Sequence, residues 1–185
     1  MISDSQRREL TLLAIRHRFS GLRTDVREVA DRLLNAGVDH DDLIVIYLAD
    51  PDDKAAIFAA FDRFLNACEI HVPDQDDAIW GLIEFHVDKI ARREADPFEL
   101  LRGMMNEVYY EYDLHSLTKE FVGDSHGIDS LVGLFFNYGA MTEHHDDVSW
   151  NDKDRDAALD KLRIEIVQAA EEWLENNEGL GIRAS

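Results

Sequence analysis

The stretch DHDDLIVIYLADPDD, residues 39–53, decides the fold class, because its centre fits a β-strand as well as a helix. Residues Leu43 to Leu48 are apolar throughout and partly β-branched, and periodicity does not separate a buried strand from a short buried helix in such a run. Asp39 to Asp42 supply negative charge that stabilises a helix N-terminus, and the chain offers no convincing second strand for pairing. We therefore predict a helix here, with a short strand over residues 43–48 as the alternative.

Helix-start signals recur on both sides of this stretch. Ser3 with Gln6 forms a capping-box pair, which predicts a first helix over residues 4–19. At Asp50–Pro51 and again at Asp96–Pro97, an N-cap acceptor directly precedes a proline, whose missing N–H costs nothing at the first helical position. Two further helices are predicted to begin at these prolines.

The last long segment, from about Asn151 to Asn176, carries the strongest apolar periodicity of the chain. Together the predicted helices cover about seven tenths of the residues, far above the roughly one third of an average domain. The sequence therefore predicts an all-α, single-domain bundle of about eight or nine helices. This domain is predicted to span residues 1–178, and residues 179–185 are predicted to fray.

Charge is the most unusual property of the chain, whose formal net charge is -20. Residues 1–36 contain seven arginines and five acids, whereas residues 37–185 contain twelve basic and thirty-four acidic residues. The negative electrostatic field of such a surface repels nucleic acid and anionic membranes and attracts basic proteins. We therefore predict a basic protein partner, no nucleic acid and no membrane. Plain solubility and adaptation to a salty cytoplasm are the alternative interpretations of the acidity.

The chain is predicted to be a cytoplasmic protein. The longest nearly apolar run, Leu43 to Ala49, is far short of the roughly 20 residues of a membrane helix, and no apolar leader opens the sequence. The single cysteine, Cys68, excludes an internal disulfide and is interpreted as a small buried hydrophobe rather than a reactive thiol.

A helical, acidic protein without a clear active site is predicted to be a binding protein rather than an enzyme. One concrete form is a bacterial immunity or antitoxin protein, which blocks a basic toxin by charge-complementary docking. Two acidic segments, 39–53 and 143–156, are the predicted contacts. The predicted partner-binding residues are Asp39, Asp41, Asp42, Asp52, Asp53, Glu143, Asp146 and Asp147.

A serine motif offers an alternative function, hydrolysis. Residues 123–127, GDSHG, match the G-x-S-x-G nucleophile elbow, which makes Ser125, His126 and Asp124 the candidate catalytic residues. An elbow requires a strand that enters the serine on a parallel sheet, and the upstream helices leave no such sheet. The competing interpretation is that Asp124 caps the next helix. Gly127 would then lie in its first turn, where close approach of another segment or a ligand would account for it. We therefore expect His126 and the backbone around Gly127 to matter more than Ser125.

A second alternative is a metal site, with hydrolysis by a metal-bound water. The run Glu143-His144-His145-Asp146-Asp147 falls in a predicted loop over residues 137–151, and only a loop would let adjacent side chains converge on one ion. A solvated acidic loop is the competing interpretation. No phosphate loop, dinucleotide fingerprint or cysteine-based zinc spacing occurs, so a divalent metal is the one cofactor considered. The candidate metal ligands are His115, His126, His144 and His145. His86, on an apolar stripe, is interpreted as a core histidine.

Overall fold

The computed structural model describes residues 2–19, 26–117, 125–143 and 152–177, and within these ranges the chain is helical and contains no strand. A π-helix, Met105–Tyr110, follows α6 directly, and two short 3-10 turns occupy Leu114–Leu117 and Ser125–Gly127. The all-α prediction is confirmed, and so is the helical assignment of residues 43–48. The α-helices are α1 (Asp4–Phe19), α2 (Val26–Asn35), α3 (Asp41–Leu48), α4 (Lys54–Ala67), α5 (Gln75–Ala91), α6 (Pro97–Met104), α7 (Asp129–Glu143) and α8 (Asp152–Asn176).

Side-chain caps set two helix starts as the sequence predicts. At α1, the Ser3 N–H donates to Gln6 Oε1 (2.8 Å) and the Gln6 N–H donates to Ser3 Oγ (3.3 Å), which is the reciprocal capping box. At α6, Asp96 Oδ1 accepts the N–H of Phe98 at 2.9 Å, and Pro97 occupies the first helical position. Both boundaries therefore follow from local hydrogen bonding.

The predicted helix start at Pro51 is wrong. Asp50 Oδ1 accepts the N–H of Asp52 at 3.0 Å and so closes a turn through the proline instead of opening a helix. Asp53 takes over the capping role, since its Oδ1 accepts the Ala56 N–H at 3.1 Å. The fourth helix, α4, consequently begins at Lys54.

Helix α7 extends into the segment predicted as a loop. Residues 137–143 are helical, and the predicted loop over 137–151 is wrong for that part. The ring of Tyr138 stacks on that of Phe98 with a centroid distance of 3.7 Å, and this contact holds the end of α7 against α6. Residues 144–150 lie outside the described ranges.

The chain divides into two compact units, the first ending at Ala78 and the second beginning at Ile79, inside α5. One domain over residues 1–178 stays a prediction, and the predicted tail lies outside the described residues. Among the described helices, none combines the length and apolarity needed to cross a bilayer. The core of the first unit includes Leu13, Leu33, Leu43, Ile46, Phe61 and Phe64, and the buried residues of the second include Leu82, Ile83, Leu101, Met104, Ile166 and Trp173.

Candidate protein-interaction surface

Helix α3 is short and is held at both ends by side chains. Its N-cap is His40, whose Nδ1 accepts the N–H of Asp42 at 3.2 Å. At its other end, Arg27 Nη2 donates to the carbonyl oxygen of Tyr47 at 3.0 Å. The first turn carries Asp41 and Asp42, which suit the positive end of the helix dipole. These contacts explain why a run of β-branched residues is helical here.

The run Leu43 to Leu48 makes α3 apolar on every side after its first two residues, but only one side of it is buried. Leu43 and Ile46 are in the core of the first unit, with 1% and 0% of their surfaces exposed. A helix that is apolar all round is normally buried all round. In α3, however, four large apolar side chains face the solvent: Ile44 (40% exposed), Val45 (44%), Tyr47 (46%) and Leu48 (72%).

These four side chains form one continuous surface, which we call the α3 face. Ile44 neighbours Tyr47 and Leu48 at spacings of three and four residues, and Val45 neighbours Leu48 at a spacing of three. Asp41 lies one turn earlier on the same side. Scattered single hydrophobics are normal on protein surfaces, but a contiguous apolar patch marks an interaction site. The α3 face is therefore the candidate functional surface of the first unit.

Carboxylates border the α3 face at both ends. Asp39 precedes α3 and Asp41 begins it, and both are exposed. Asp50, Asp52 and Asp53 follow the end of the helix and are also exposed. Between Asp42 and Asp50 the sequence LIVIYLA contains no charged residue. The surface thus has an apolar centre, and its ends carry these carboxylates together with Arg27, at the Tyr47 carbonyl, and Arg63, paired with Asp42. This is the layout of an interface with a dry core and a polar rim.

The predicted partner-binding aspartates differ in whether their carboxylates already bond within the chain. Asp42 is engaged within the chain, because Arg63 Nη2 lies 2.8 Å from its Oδ1 and its side chain is only 17% exposed. Asp53 uses one oxygen to cap α4. Asp39, Asp41 and Asp52 have no side-chain bond within the described part of the chain. The side chain of Glu143 and all of Asp146 and Asp147 lie outside that part.

Residues 125–127 of the serine motif form a turn beside two tryptophans in the second unit, and the first two residues of that motif lie outside the described ranges. Ser125 Oγ lies 2.6 Å from His126 Nδ1, and the ring of His126 lies 4.8 Å from that of Trp80. The indole N–H of Trp173 donates to the carbonyl oxygen of His126 at 2.9 Å. Ser125 is only 5% exposed. A Ser–His bond is half of a nucleophile dyad, but this hydroxyl is turned away from solvent.

The backbone of this turn corrects the prediction that Gly127 lies in the first turn of a helix. His126 and Gly127 both have positive φ, 59° and 68°, which is not the geometry of a right-handed helix. Helix α7 instead begins at Asp129, with its first bond from Val132 N–H to Ile128 O, and the predicted cap Asp124 lies outside the described residues. Gly127 suits its position because of φ rather than crowding, since a Cβ there would meet Trp173 only at an ordinary 3.7 Å.

No group of three or more metal-ligating side chains comes together within the described residues. Of the predicted ligands, His115 is exposed and its Nδ1 lies 2.9 Å from Asp113 Oδ1. His126 faces Ser125 and Trp80. His144 and His145 lie outside the described ranges. The metal site therefore stays a prediction.

A buried contact between a histidine and a carboxylate was not predicted from the sequence. His86 Nε2 lies 2.9 Å from Glu107 Oε2, with side-chain exposures of 10% and 14%. The interpretation of His86 as a core histidine is confirmed. Its partner lies on the π-helix, together with Tyr109, whose buried hydroxyl has no hydrogen-bond partner among the described residues and whose pKa is raised by burial. A π-helix has no sequence signature of the kind that capping residues provide.

The C-terminal end of α4 carries the single cysteine. Arg7 Nη1 donates to the carbonyl oxygen of Cys68 at 2.9 Å, and burial raises the pKa of the Cys68 thiol although Arg7 opposes that shift. A neutral thiol is a weak nucleophile. An open cavity of about 470 Å³ lies nearby, lined by Asn66, Glu69, Ile70 and His71. These side chains do not make a reactive site.

Comparison with protein-family models, with curated proteins and with solved structures gave no match to this chain. Its function is therefore argued from the surfaces and contacts described above.

Proposed function

We propose that this chain is a protein-binding module that docks a basic partner on the α3 face. The supporting observation is the exposure of Ile44, Val45, Tyr47 and Leu48 on a single helix whose two ends carry carboxylates. Docking removes this apolar surface from water, which is the dominant favourable term in association. The surrounding carboxylates speed the encounter with a cationic protein and disfavour anionic ones.

The α3 face also bears on the alternative interpretation of the acidity. Salt adaptation and solubility account for surface carboxylates, because both act through charge and hydration. Neither accounts for a leucine that is 72% exposed beside three other exposed apolar side chains. A docking surface accounts for both the carboxylates and the apolar side chains.

A cytoplasmic immunity or antitoxin protein is the specific form we propose for this module. Such a protein must recognise one basic toxin tightly, and an apolar centre with a charged rim provides affinity and selectivity at once. In this form, a captured basic nuclease or other toxin is expected to lose its activity when mixed with one equivalent of the chain.

We expect the immobilised chain to capture a basic protein at low salt. Leu48→Ser and Ile44→Ser are each expected to reduce capture by about tenfold, because each removes apolar area from the centre of the interface. Elution is expected to begin as salt is raised, since screening weakens the contribution of the rim. Quantitative mass spectrometry of the bound proteins measures both effects.

Ile164→Ser is the matched control, because Ile164 on α8 is also an exposed aliphatic side chain. It is expected to leave capture unchanged. Equal capture by the wild type and by both α3-face variants would contradict the proposal and leave the acidity to salt adaptation or solubility. Circular dichroism checks that each variant folds.

Hydrolysis by Ser125 is a second candidate, favoured by the 2.6 Å contact between Ser125 Oγ and His126 Nδ1. A nucleophilic serine is labelled by a fluorophosphonate probe, and Ser125→Ala abolishes that labelling. Because Ser125 is only 5% exposed, we expect no labelling of the wild type. Stoichiometric labelling that Ser125→Ala removes would overturn this expectation and establish the hydrolase.

A further inference from the structure

The layout of the α3 face specifies more than the sign of a partner's charge. Its apolar centre is the run Leu43 to Leu48, which is six residues of α3 and therefore about 9 Å long. In the sequence, Asp39 and Asp41 precede this run, and Asp50, Asp52 and Asp53 follow it. A complementary segment needs an apolar centre of the same length and basic residues on both sides of it.

The length of the apolar centre distinguishes a helix from a strand as the complementary segment. A strand covers about 9 Å with three residues, and at most two of their side chains point to one side. Two side chains are too few to cover Ile44, Val45, Tyr47 and Leu48. A helix needs about six residues for the same distance and presents about three of them on one face.

We infer that the part of the partner that docks on the α3 face is an amphipathic helix with basic residues at both of its ends. This inference rests on the proposed function. It adds which kind of segment of the partner docks and where along that segment its basic residues lie. The apolar stripe of the helix packs on Ile44, Val45 and Leu48. Its terminal lysines or arginines then reach Asp41 at one end and Asp52 at the other.

A second copy of the chain is a poorer occupant. Pairing two α3 faces about a two-fold axis would place the same carboxylates of both copies in one interface, and like charges in contact oppose association. The net charge of -20 adds long-range repulsion between copies. The carboxylates that repel a second copy attract a helix with basic ends.

The test uses fluorescent synthetic peptides and the full chain. One peptide is an alanine-rich helix of about 18 residues, a length at which such a helix forms in water, with a leucine stripe over about six central residues and two lysines directly on each side of that stripe. A second peptide has the same composition with all four lysines at one end. A third keeps lysines at both ends but has its leucines scrambled so that no apolar stripe remains. Fluorescence anisotropy at low salt gives the Kd of each.

We expect the two-ended peptide to bind about tenfold more tightly than either of the others. Leu48→Ser is expected to weaken that binding about tenfold, and Ile164→Ser is expected to leave it unchanged. Asp41→Asn and Asp52→Asn are each expected to weaken the two-ended peptide several-fold, because each removes the acceptor at one end. Glu171→Gln, an exposed acid on α8, is the charge-matched control.

The outcomes separate this inference from the proposed function. Equal affinity of the one-ended and two-ended peptides overturns the inference. Affinity that is unchanged by Leu48→Ser or by Asp52→Asn also overturns it, and so does the absence of binding by all three peptides. In those cases the proposed function still stands if capture of a basic protein depends on Leu48. Self-association of the wild type that Leu48→Ser abolishes, measured by sedimentation, would make a second copy the occupant and overturn the inference.

Discussion

Replacing Trp173 with alanine is expected to lower the free energy of unfolding by about 3–5 kcal/mol, the range for a large buried aromatic side chain. Trp173 is 5% exposed, and its ring lies 5.9 Å from that of Trp80. Its indole N–H also holds the carbonyl of His126, a residue with left-handed backbone geometry. The substitution therefore opens a cavity and removes the bond that fixes the 125–127 turn. Urea unfolding followed by circular dichroism measures the loss.

Trp173→Phe separates the two contributions, because phenylalanine keeps most of the ring but cannot donate the hydrogen bond. We expect it to cost about 1–3 kcal/mol, including the lost hydrogen bond from the indole N–H to the His126 carbonyl. Ile164→Ala, at an exposed position on the same helix, is expected to change stability by less than about 0.5 kcal/mol. If Trp173→Ala costs no more than Ile164→Ala, Trp173 does not anchor the turn.

Glu107→Ala is expected to cost about 1–3 kcal/mol, because it leaves the buried Nε2 of His86 without the carboxylate oxygen that lies 2.9 Å from it. The exposed pair between Arg102 and Glu99 provides the comparison, since both of its side chains are more than half exposed. Glu99→Ala is expected to cost less than about 1 kcal/mol. Chemical denaturation of the two variants side by side measures the difference between a buried polar contact and an exposed ion pair.

The double variant His86→Phe with Glu107→Leu shows whether the two residues act as a pair. Replacing both partners of a buried hydrogen bond with apolar side chains is often close to neutral, so the double variant is expected to be more stable than Glu107→Ala. Additive losses would instead mean that each residue is stabilised by other contacts. In that outcome the 2.9 Å contact between them contributes little.

Local hydrogen bonding explains which parts of the fold the sequence predicts. The starts of α1 and α6 follow from side-chain caps at Ser3 and Asp96, which are set by residues within three positions. The same logic fails at Asp50, because Asp53 is an equally good acceptor three residues later. Local patterns therefore predict that a helix occurs more reliably than where it begins when two capping residues compete.

Tertiary packing explains what the sequence could not predict. The run LIVIYL has no period, so nothing in it tells which side packs on the core and which side remains in water. The carboxylates near it were predicted as contacts, but the α3 face at their centre was not. His86 and Glu107 are 21 residues apart, and their pairing depends on how α5 lies against the π-helix.

The charge of the chain and its α3 face act over different distances. Apolar attraction acts only at contact, whereas electrostatic repulsion between two copies extends about 8 Å at physiological ionic strength. An exposed apolar face is ordinarily an aggregation liability. In this molecule two copies are pushed apart before their apolar faces can touch, while a cationic molecule meets no such barrier. The net charge thus disfavours contact between two copies of the chain. It keeps the α3 face exposed at concentrations at which an uncharged protein would aggregate.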